Sequence, residues 1–309
     1  MSRAPDVLVK PNDKVGIFLA VIASAIFGFY PPASRAAYAD GANATFVLFF
    51  TTIARALMLS GFCWATGKPL FTSRENTKQS LIGGFWQGVS ATGILTALVY
   101  LQGPIVLTIL YTATIMLLFF MVWKGEMQFK PYILASTLLV FAGLTYVLDL
   151  WSQTPAVNWI GVGLSLVAAF AAMNRMYVYG SQMKYRNPAV VGAESFIVAS
   201  FCVLPVALWQ MPVPPHSLAG WGWTSLSALS LGIGILIMFY GIAMLGAFKW
   251  SLFIKIEPVF TSIFSVLFLG EYMKPTQYLG VAVVVGGLAT YQVLSHLEKK
   301  PAEEADSMS

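Results

Sequence analysis

The chain alternates between long apolar segments and short polar connections. Ten apolar segments are about twenty residues long, which is enough for a helix to cross a hydrocarbon layer of roughly 30 Å. We therefore predict ten helices at 14–35, 43–66, 80–100, 103–123, 130–151, 158–180, 188–210, 221–245, 249–270 and 275–296. The polar ends, 1–13 and 297–309, fall outside these segments, and we expect the second to be disordered. The pattern is typical of an all-α membrane protein.

The composition supports a lipid environment. Of the 309 residues, 58% are hydrophobic and 10% are charged, and the mean hydropathy is +0.74. A soluble domain carries about 25% charged residues, so the composition excludes an ordinary soluble protein and predicts contact with a lipid bilayer. The first apolar segment follows a charged stretch without a clear cleavage site, and we expect no cleavable signal peptide.

The chain also contains an internal repeat. Gly125-Glu126 and Lys130-Pro131 recur as Gly270-Glu271 and Lys274-Pro275. Downstream, an offset of 144 pairs Val140, Gly143 and Leu144 with Val284, Gly287 and Leu288; upstream, an offset of 145 pairs Gly16, Leu19 and Ala23 with Gly161, Leu164 and Ala168. The repeats span 14–151 and 158–296 with five segments each, so the second copy is inverted. Inverted repeats are typical of secondary transporters whose solute binds between the halves.

The basic residues predict the orientation. If the N-terminus is cytoplasmic, the inner segments hold thirteen Lys and Arg residues and the outer segments hold two, Arg35 and Lys274. Arg55, Arg175 and Lys255 lie within predicted helices. The positive-inside rule then places both termini in the cytoplasm. It also explains the net charge of +5 through anionic lipid, without a nucleic-acid partner.

Aromatic residues at membrane depth are the first candidates for solute contact. Eight of nine tryptophans fall at predicted membrane boundaries, where aromatic belts occur, but Trp86 lies deeper. We take as candidate substrate-binding residues Trp86, Tyr100, Tyr111, Tyr177 and Tyr240. They suggest a pocket for an apolar or aromatic solute. The alternative is helix packing, because small residues share the stripe of Trp86.

Charged residues at membrane depth are the second set. Counting 1.5 Å per residue from the predicted helix ends places five of them about 5–12 Å from the cytoplasmic side. They are Arg55, Arg175, Glu194, Lys255 and Glu257. We consider a cytoplasmic gate or charge network, with Lys255 as a further substrate-binding candidate. Snorkelling to the membrane surface and structural ion pairing are the alternatives. Pro258 next to Glu257 predicts a kink, as in broken-helix solute sites.

No other chemistry is indicated. Gly125-Glu126 and Gly270-Glu271 end helices, and because an acid there opposes the helix dipole we expect each glutamate to bond to a group after the turn. Cys63 and Cys202 have no metal spacing, and His216 and His296 are predicted on opposite sides of the membrane. We therefore expect no metal, no cofactor and no enzymatic activity.

Motifs in the second half of the chain resemble those of a known family. The segment from Glu257-Pro258-Val259-Phe260 to Leu269-Gly270-Glu271, followed by Leu279-Gly280 and Gly286-Gly287, is similar to the hallmark of EamA-type exporters in the drug/metabolite transporter superfamily. The first half departs from it, with Ala113 where Pro258 would align. Within that superfamily the chain most resembles the YddG-type exporters of aromatic amino acids.

The resemblance implies a multi-pass protein of the bacterial inner membrane that exports aromatic and other amino acids by alternating access. It also implies that the fifth and tenth helices lie outside a central cavity. It leaves open whether transport is proton-coupled or downhill, and a monomer is sufficient for the fold. Alternatives are an exchanger of sugar phosphates or nucleotide sugars, which would need more cations than three, and a membrane-embedded enzyme.

Overall fold

The computed structural model describes residues 9–152 and 158–307. In this part of the chain the regular structure is entirely helical. The helices are α1 (Asp13–Ala39), α2 (Ala44–Ala65), α3 (Arg74–Ala97), α4 (Gly103–Tyr111), α5 (Ala113–Trp123), α6 (Pro131–Val147), α7 (Trp159–Gln182), α8 (Pro188–Gln210), α9 (Leu218–Leu245), α10 (Ala247–Phe253), α11 (Glu257–Leu269) and α12 (Pro275–Ser307). Short 3-10 turns occupy Leu150–Ser152 and Ile254–Ile256.

Eight stretches of the described chain are long and apolar enough to cross a membrane. They are α1, α2, α4 with α5, α7, α8, α9, α10 with α11, and α12 as far as Glu298. The other two predicted spans correspond to α3 and α6. α3 begins earlier than predicted, at Arg74, and includes the polar residues Asn76, Gln79 and Gln87. α6 has 17 residues and ends at Val147, before the predicted position 151. Ten membrane crossings therefore stay a prediction.

Three helices differ from the simple pattern. The fourth predicted span is divided at Thr112 into α4 and α5, and the ninth is divided into α10 and α11 by the 3-10 turn before Pro258. α12 continues to Ser307, whereas we expected disorder from position 297. Glu298 accepts hydrogen bonds from Tyr132, at 2.8 Å, and from Lys130, so contacts with α6 hold α12 beyond the predicted end.

Two ends of the helix bundle can be distinguished. At the near end, where α1 begins, Lys249 lies 2.9 Å from Asp13, and Lys130 pairs with Glu298. At the far end, where α1 stops, the Asp40 carboxylate accepts hydrogen bonds from the backbone amide and hydroxyl of Ser217, at 2.8 and 2.7 Å. The short connections between successive helices make their directions alternate between these ends.

The two repeats interdigitate, because the principal helix pairs join one half to the other. α1 packs along α9, and its repeat counterpart α7 packs along α3. α2 packs on α8, and α6 packs on α12, so these two pairs each join repeat counterparts. The main buried core accordingly mixes both halves: Phe27 and Leu59 share it with Phe196, Phe239 and Trp250. This reciprocal packing agrees with the inverted repeat that the sequence predicts.

Repeat-related glycines bring α6 and α12 into close contact. A β-carbon on Gly287 would lie 2.8 Å from Cγ2 of Val140, and one on Gly143 would lie 2.8 Å from Cγ2 of Val284. The sequence repeat pairs Val140 with Val284 and Gly143 with Gly287. The two helices therefore present the same small-residue surface to each other, as is typical of helix contacts in membranes.

Candidate functional site

A cavity of about 360 Å³ opens among α1, α4, α11 and the turn before α12. Tyr30 lines it from α1, Tyr111 from α4, and Glu257 with Pro258 from the start of α11. Arg35 and Glu271 line it at the far end of the bundle. The wall therefore combines phenol rings and aliphatic side chains with two carboxylates and a guanidinium group, a mixture that suits a small amphiphilic solute.

The interruption between α10 and α11 positions the charges of this site. Pro258 occupies the first turn of α11, where a missing amide hydrogen costs little, and Ile254–Ile256 form a 3-10 turn. Lys255 lies in that turn, with Nζ 4.4 Å from the ring centroid of Tyr111. A cation over a phenol ring is an attractive arrangement, worth more when both are removed from water. Tyr111 thus lies between Lys255 and the cavity that it lines.

Within the described residues, neither Lys255 nor Glu257 forms a salt bridge or a side-chain hydrogen bond. The ammonium group of Lys255 lies over the ring of Tyr111, and no carboxylate of the described chain comes within 4.0 Å of it. Glu257 starts α11 and lines the cavity, where the helix N-terminus favours its negative charge. The two groups are close enough to attract each other electrostatically. At the interruption, Glu257 therefore faces the cavity directly, while Lys255 lies behind the ring of Tyr111.

Arg175 adds positive charge near Lys255, and Arg55 lies near Arg175 in turn. Arg175 donates from Nη1 to Gln87 on α3, while its buried Nε has no hydrogen-bond partner within the described chain. Arg55 donates to the Thr51 carbonyl and the Thr52 hydroxyl, both at 2.9 Å, and lies 4.8 Å from the centroid of Phe196. Arg175 is within electrostatic range of both Arg55 and Lys255.

Glu194 belongs to a separate cluster. Its carboxylate, fully buried at the near end, accepts hydrogen bonds from Arg186 at 2.5 Å, Ser80 at 2.5 Å and the Phe71 amide at 2.6 Å. Arg186 also donates to Gln182 and to Ser80. These bonds tie α3, α8 and the connection before α3 together. Glu194 is thus neutralised by Arg186, and four of the five predicted charges remain as a group.

The structure distributes the aromatic candidates over several places. Tyr111 lines the far-end cavity. Trp86 packs edge-on against Phe170 of α7, with centroids 5.8 Å apart, and Tyr240 packs against the main core. Tyr177 donates to Glu126 at 2.5 Å, and Tyr100, 40% exposed, follows the end of α3. Trp86, Tyr100, Tyr177 and Tyr240 lie outside the set of residues that line this cavity.

Three residues contribute to these clusters although the sequence did not single them out as site residues. Tyr30 lines the far-end cavity, Gln87 binds Arg175, and Arg186 neutralises Glu194. Gln87 could have been found as a polar residue next to Trp86 within an apolar helix. Arg186 entered the sequence argument only as one of the cytoplasmic basic residues. Among the described residues no group of three or more His, Cys, Asp or Glu side chains could hold a metal ion.

Comparison with known families assigns the chain to one of them. Both halves match the model of the EamA-like transporter family, over residues 14–148 and 158–291. The chain belongs to the EamA-like transporter family. The two matched regions begin at the same positions as the predicted repeats, 14 and 158, so this member matches the family model twice. It is a membrane solute transporter, and its site is expected to handle a small molecule.

Comparison with solved structures supports the fold. One chain, titled "Crystal structure of protein", superposes with a TM-score of 0.77 at 16% sequence identity, covering 91% of this chain and 99% of its own length. At this identity the likeness concerns the fold alone. A search among curated proteins gives no match.

Proposed function

We propose that this EamA-family protein exports amino acids across the bacterial inner membrane by alternating access. The observation that carries the proposal is the pair of opposite charges at the α10–α11 interruption, Lys255 behind the wall of the far-end cavity and Glu257 on it. A zwitterionic amino acid carries both complementary charges on one carbon atom. Few other small metabolites would satisfy both groups without leaving a buried charge unpaired, which is costly in a membrane.

The proposed binding mode follows from the positions of these groups. The α-ammonium group pairs with Glu257, and the α-carboxylate is drawn toward Lys255 and Arg175. The side chain of the amino acid lies against the phenol rings of Tyr30 and Tyr111. Ring stacking adds about 1 kcal/mol for an aromatic side chain beyond the burial of apolar area. Aromatic amino acids are therefore the preferred cargo.

A second candidate is an exchanger of sugar phosphates or other anions, although such a cargo would need more cations than three. In the described chain Arg55, Arg175 and Lys255 form a group with Glu257, while Glu194 is neutralised by Arg186. A phosphate could take up the remaining positive charge. This candidate predicts that Glu257 is dispensable, whereas amino acid binding requires it.

Counterflow in proteoliposomes tests the two candidates. Purified protein would be screened with the twenty amino acids, glucose 6-phosphate and a nucleotide sugar. We expect exchange of aromatic amino acids, abolished in Lys255→Gln and Glu257→Gln. Lys124→Gln and Glu75→Gln remove the same charges from exposed positions and should exchange normally. Exchange of the phosphate compounds alone, retained in Glu257→Gln, would replace the amino acid proposal.

The proposed orientation places the near end in the cytoplasm, with ten crossings and both termini inside. Exposed cysteines at Thr72→Cys and Val213→Cys, in a chain with Cys63 and Cys202 replaced by alanine, would report on the two ends. An impermeant maleimide should label Val213→Cys in intact spheroplasts and Thr72→Cys only in inside-out vesicles. Labelling of both positions in spheroplasts would refute this topology.

A further inference from the structure

The repeated Gly-Glu turns connect the two halves at opposite ends of the bundle. Gly125 and Gly270 adopt the left-handed backbone conformation, with φ of +73° and +67°, which ends the preceding helix in the same way in both repeats. Glu126 follows α5 at the near end, and Glu271 follows α11 at the far end. The two repeat-related glutamates thus lie at opposite ends of the bundle.

At the far end, Glu271 holds α1. Its carboxylate accepts a hydrogen bond from Arg35 Nη1 at 2.5 Å. Arg35 belongs to the first repeat and Glu271 to the second, and both line the far-end cavity. Their side chains are 57% and 48% exposed. The contact therefore lies across the far end of the cavity and within reach of water.

At the near end, Glu126 holds α7, the repeat counterpart of α1. It accepts a hydrogen bond from the Tyr177 hydroxyl at 2.5 Å, and Lys184 Nζ lies 3.9 Å from its second oxygen. Glu126 also lines a second cavity, of about 500 Å³, at the near end. Each Gly-Glu turn therefore binds the first helix of the opposite half beside a cavity.

The lysine of each turn makes a different contact. Lys274 lies 2.5 Å from Asp149, just after α6, and Lys130 pairs with Glu298 of α12. These contacts also join the halves, but they hold α6 and α12, which pack mainly on each other. The glutamates hold α1 and α7, the first helices of the two halves, and the lysines hold α6 and α12.

We propose that the two glutamate contacts are latches of the transport cycle. The far-end latch is Arg35 with Glu271, and the near-end latch is Glu126 with Tyr177 and Lys184. Opening of the far-end latch releases α1 and exposes the solute cavity at that end; opening of the near-end latch releases α7 and exposes the opposite end. Both are closed in this structure. The proposal rests on alternating access, but not on the identity of the solute.

The exposure of the latches makes them suitable as gates. An exposed ion pair shifts an equilibrium only by a small factor, because water solvates the separated groups nearly as well. The conformational states of a transporter differ in free energy by a few kcal/mol. The binding of a solute therefore supplies enough free energy to open a latch. The pair of Arg186 and Glu194 differs, because both side chains are buried.

Cysteine labelling without solute tests the latches. Ser265→Cys reports on the far-end cavity, which Ser265 lines. Ala247→Cys reports on the near end, where Ala247 is 5% exposed and packs against Gly180 of α7. Each would be placed in the chain with Cys63→Ala and Cys202→Ala and treated with impermeant maleimide from either side.

The far-end latch variant Glu271→Gln should raise the labelling rate of Ser265→Cys about two- to five-fold, the effect expected for an exposed ion pair. Glu126→Gln should instead raise the labelling of Ala247→Cys. Lys124→Gln and Lys274→Gln remove a charge beside the same turns, at positions that line neither cavity, and should change neither rate. The exchange of Arg35→Glu with Glu271→Arg should restore the wild-type rate at Ser265→Cys.

Unchanged labelling in Glu271→Gln and Glu126→Gln would overturn the proposal. Equal changes in the glutamate and lysine variants would also overturn it, because they would indicate general loosening of the turns. The solute proposal fails separately: if amino acid counterflow is absent while the latch variants shift labelling as expected, the latches stand and the cargo is a different one.

Discussion

Gly143 and Val284 approach so closely that a β-carbon on Gly143 would lie 2.8 Å from the backbone nitrogen of Val284. Contact with backbone leaves little room for adjustment, and overpacking of this kind costs about 1–3 kcal/mol. We therefore expect Gly143→Ala to lower the melting temperature of the detergent-solubilised protein. Gly286→Ala is the matched control, because nothing lies within 4 Å of its β-carbon position. A melting temperature unchanged in Gly143→Ala would contradict the close packing of α6 and α12.

The buried pair of Arg186 and Glu194 predicts a large stability effect. Glu194→Gln leaves Arg186 as an uncompensated buried charge, and breaking a pair in this way costs about 3–5 kcal/mol. We expect a marked fall in the melting temperature, measured by thermal shift. The double variant Arg186→Gln with Glu194→Gln should recover part of the loss, because it removes the unpaired charge. If Glu194→Gln melts like wild type and changes labelling at Ala247→Cys, Glu194 would belong to the gate after all.

Tyr111 provides a test of the Lys255 site. Tyr111→Phe keeps the ring beneath the Lys255 ammonium group, so counterflow of amino acids should stay near the wild-type level. Tyr111→Leu removes the ring and with it an attraction of about 1–2 kcal/mol, and the apparent affinity for solute should fall about ten-fold. Counterflow would be measured over a range of solute concentrations. Equal behaviour of the two variants would show that the ring does not position Lys255.

The Asp40 cap at the far end predicts a dependence on pH. Hydrogen bonds from the backbone amide and the hydroxyl of Ser217 hold the pKa of Asp40 below its ordinary value of 3.8. A depressed carboxyl pKa means that the contact stabilises the fold above pH 3.8 and that this contribution is lost as the pH falls through the lowered pKa. Asp40→Asn should therefore melt earlier than wild type at neutral pH, and the difference should shrink on acidification. If the difference in melting temperature between Asp40→Asn and wild type did not change with pH, the negative charge of Asp40 would not be what stabilises the cap.

The apolar pattern and the repeat predicted most of the architecture. The starts of α1 and α12 lie within one residue of the predicted positions 14 and 275, because apolar length and proline placement determine where a helix begins. Pro258 correctly indicated the interruption before α11. The ends of α6 and α12 were less predictable, because contacts with other helices determine them.

The contacts of the site residues were harder to predict from the sequence, because the residues that contact one another lie on distant segments of the chain. We expected Glu126 and Glu271 to bind groups after their turns, but Tyr177 and Arg35 bind them from the opposite half. The depth of Glu194 was predicted, yet depth along a helix axis contains no information on the direction of the side chain. That direction separates Glu194 from Lys255 and Glu257.

The interdigitation of the repeats has a consequence for biogenesis. α1 finds its principal neighbour, α9, only after most of the chain has been synthesised, and α3 must wait for α7. A half-made chain therefore lies in the bilayer with Arg55 inserted and with small-residue surfaces uncovered. Newly inserted helices would have to be sheltered by the insertion machinery or by one another until the second half arrives.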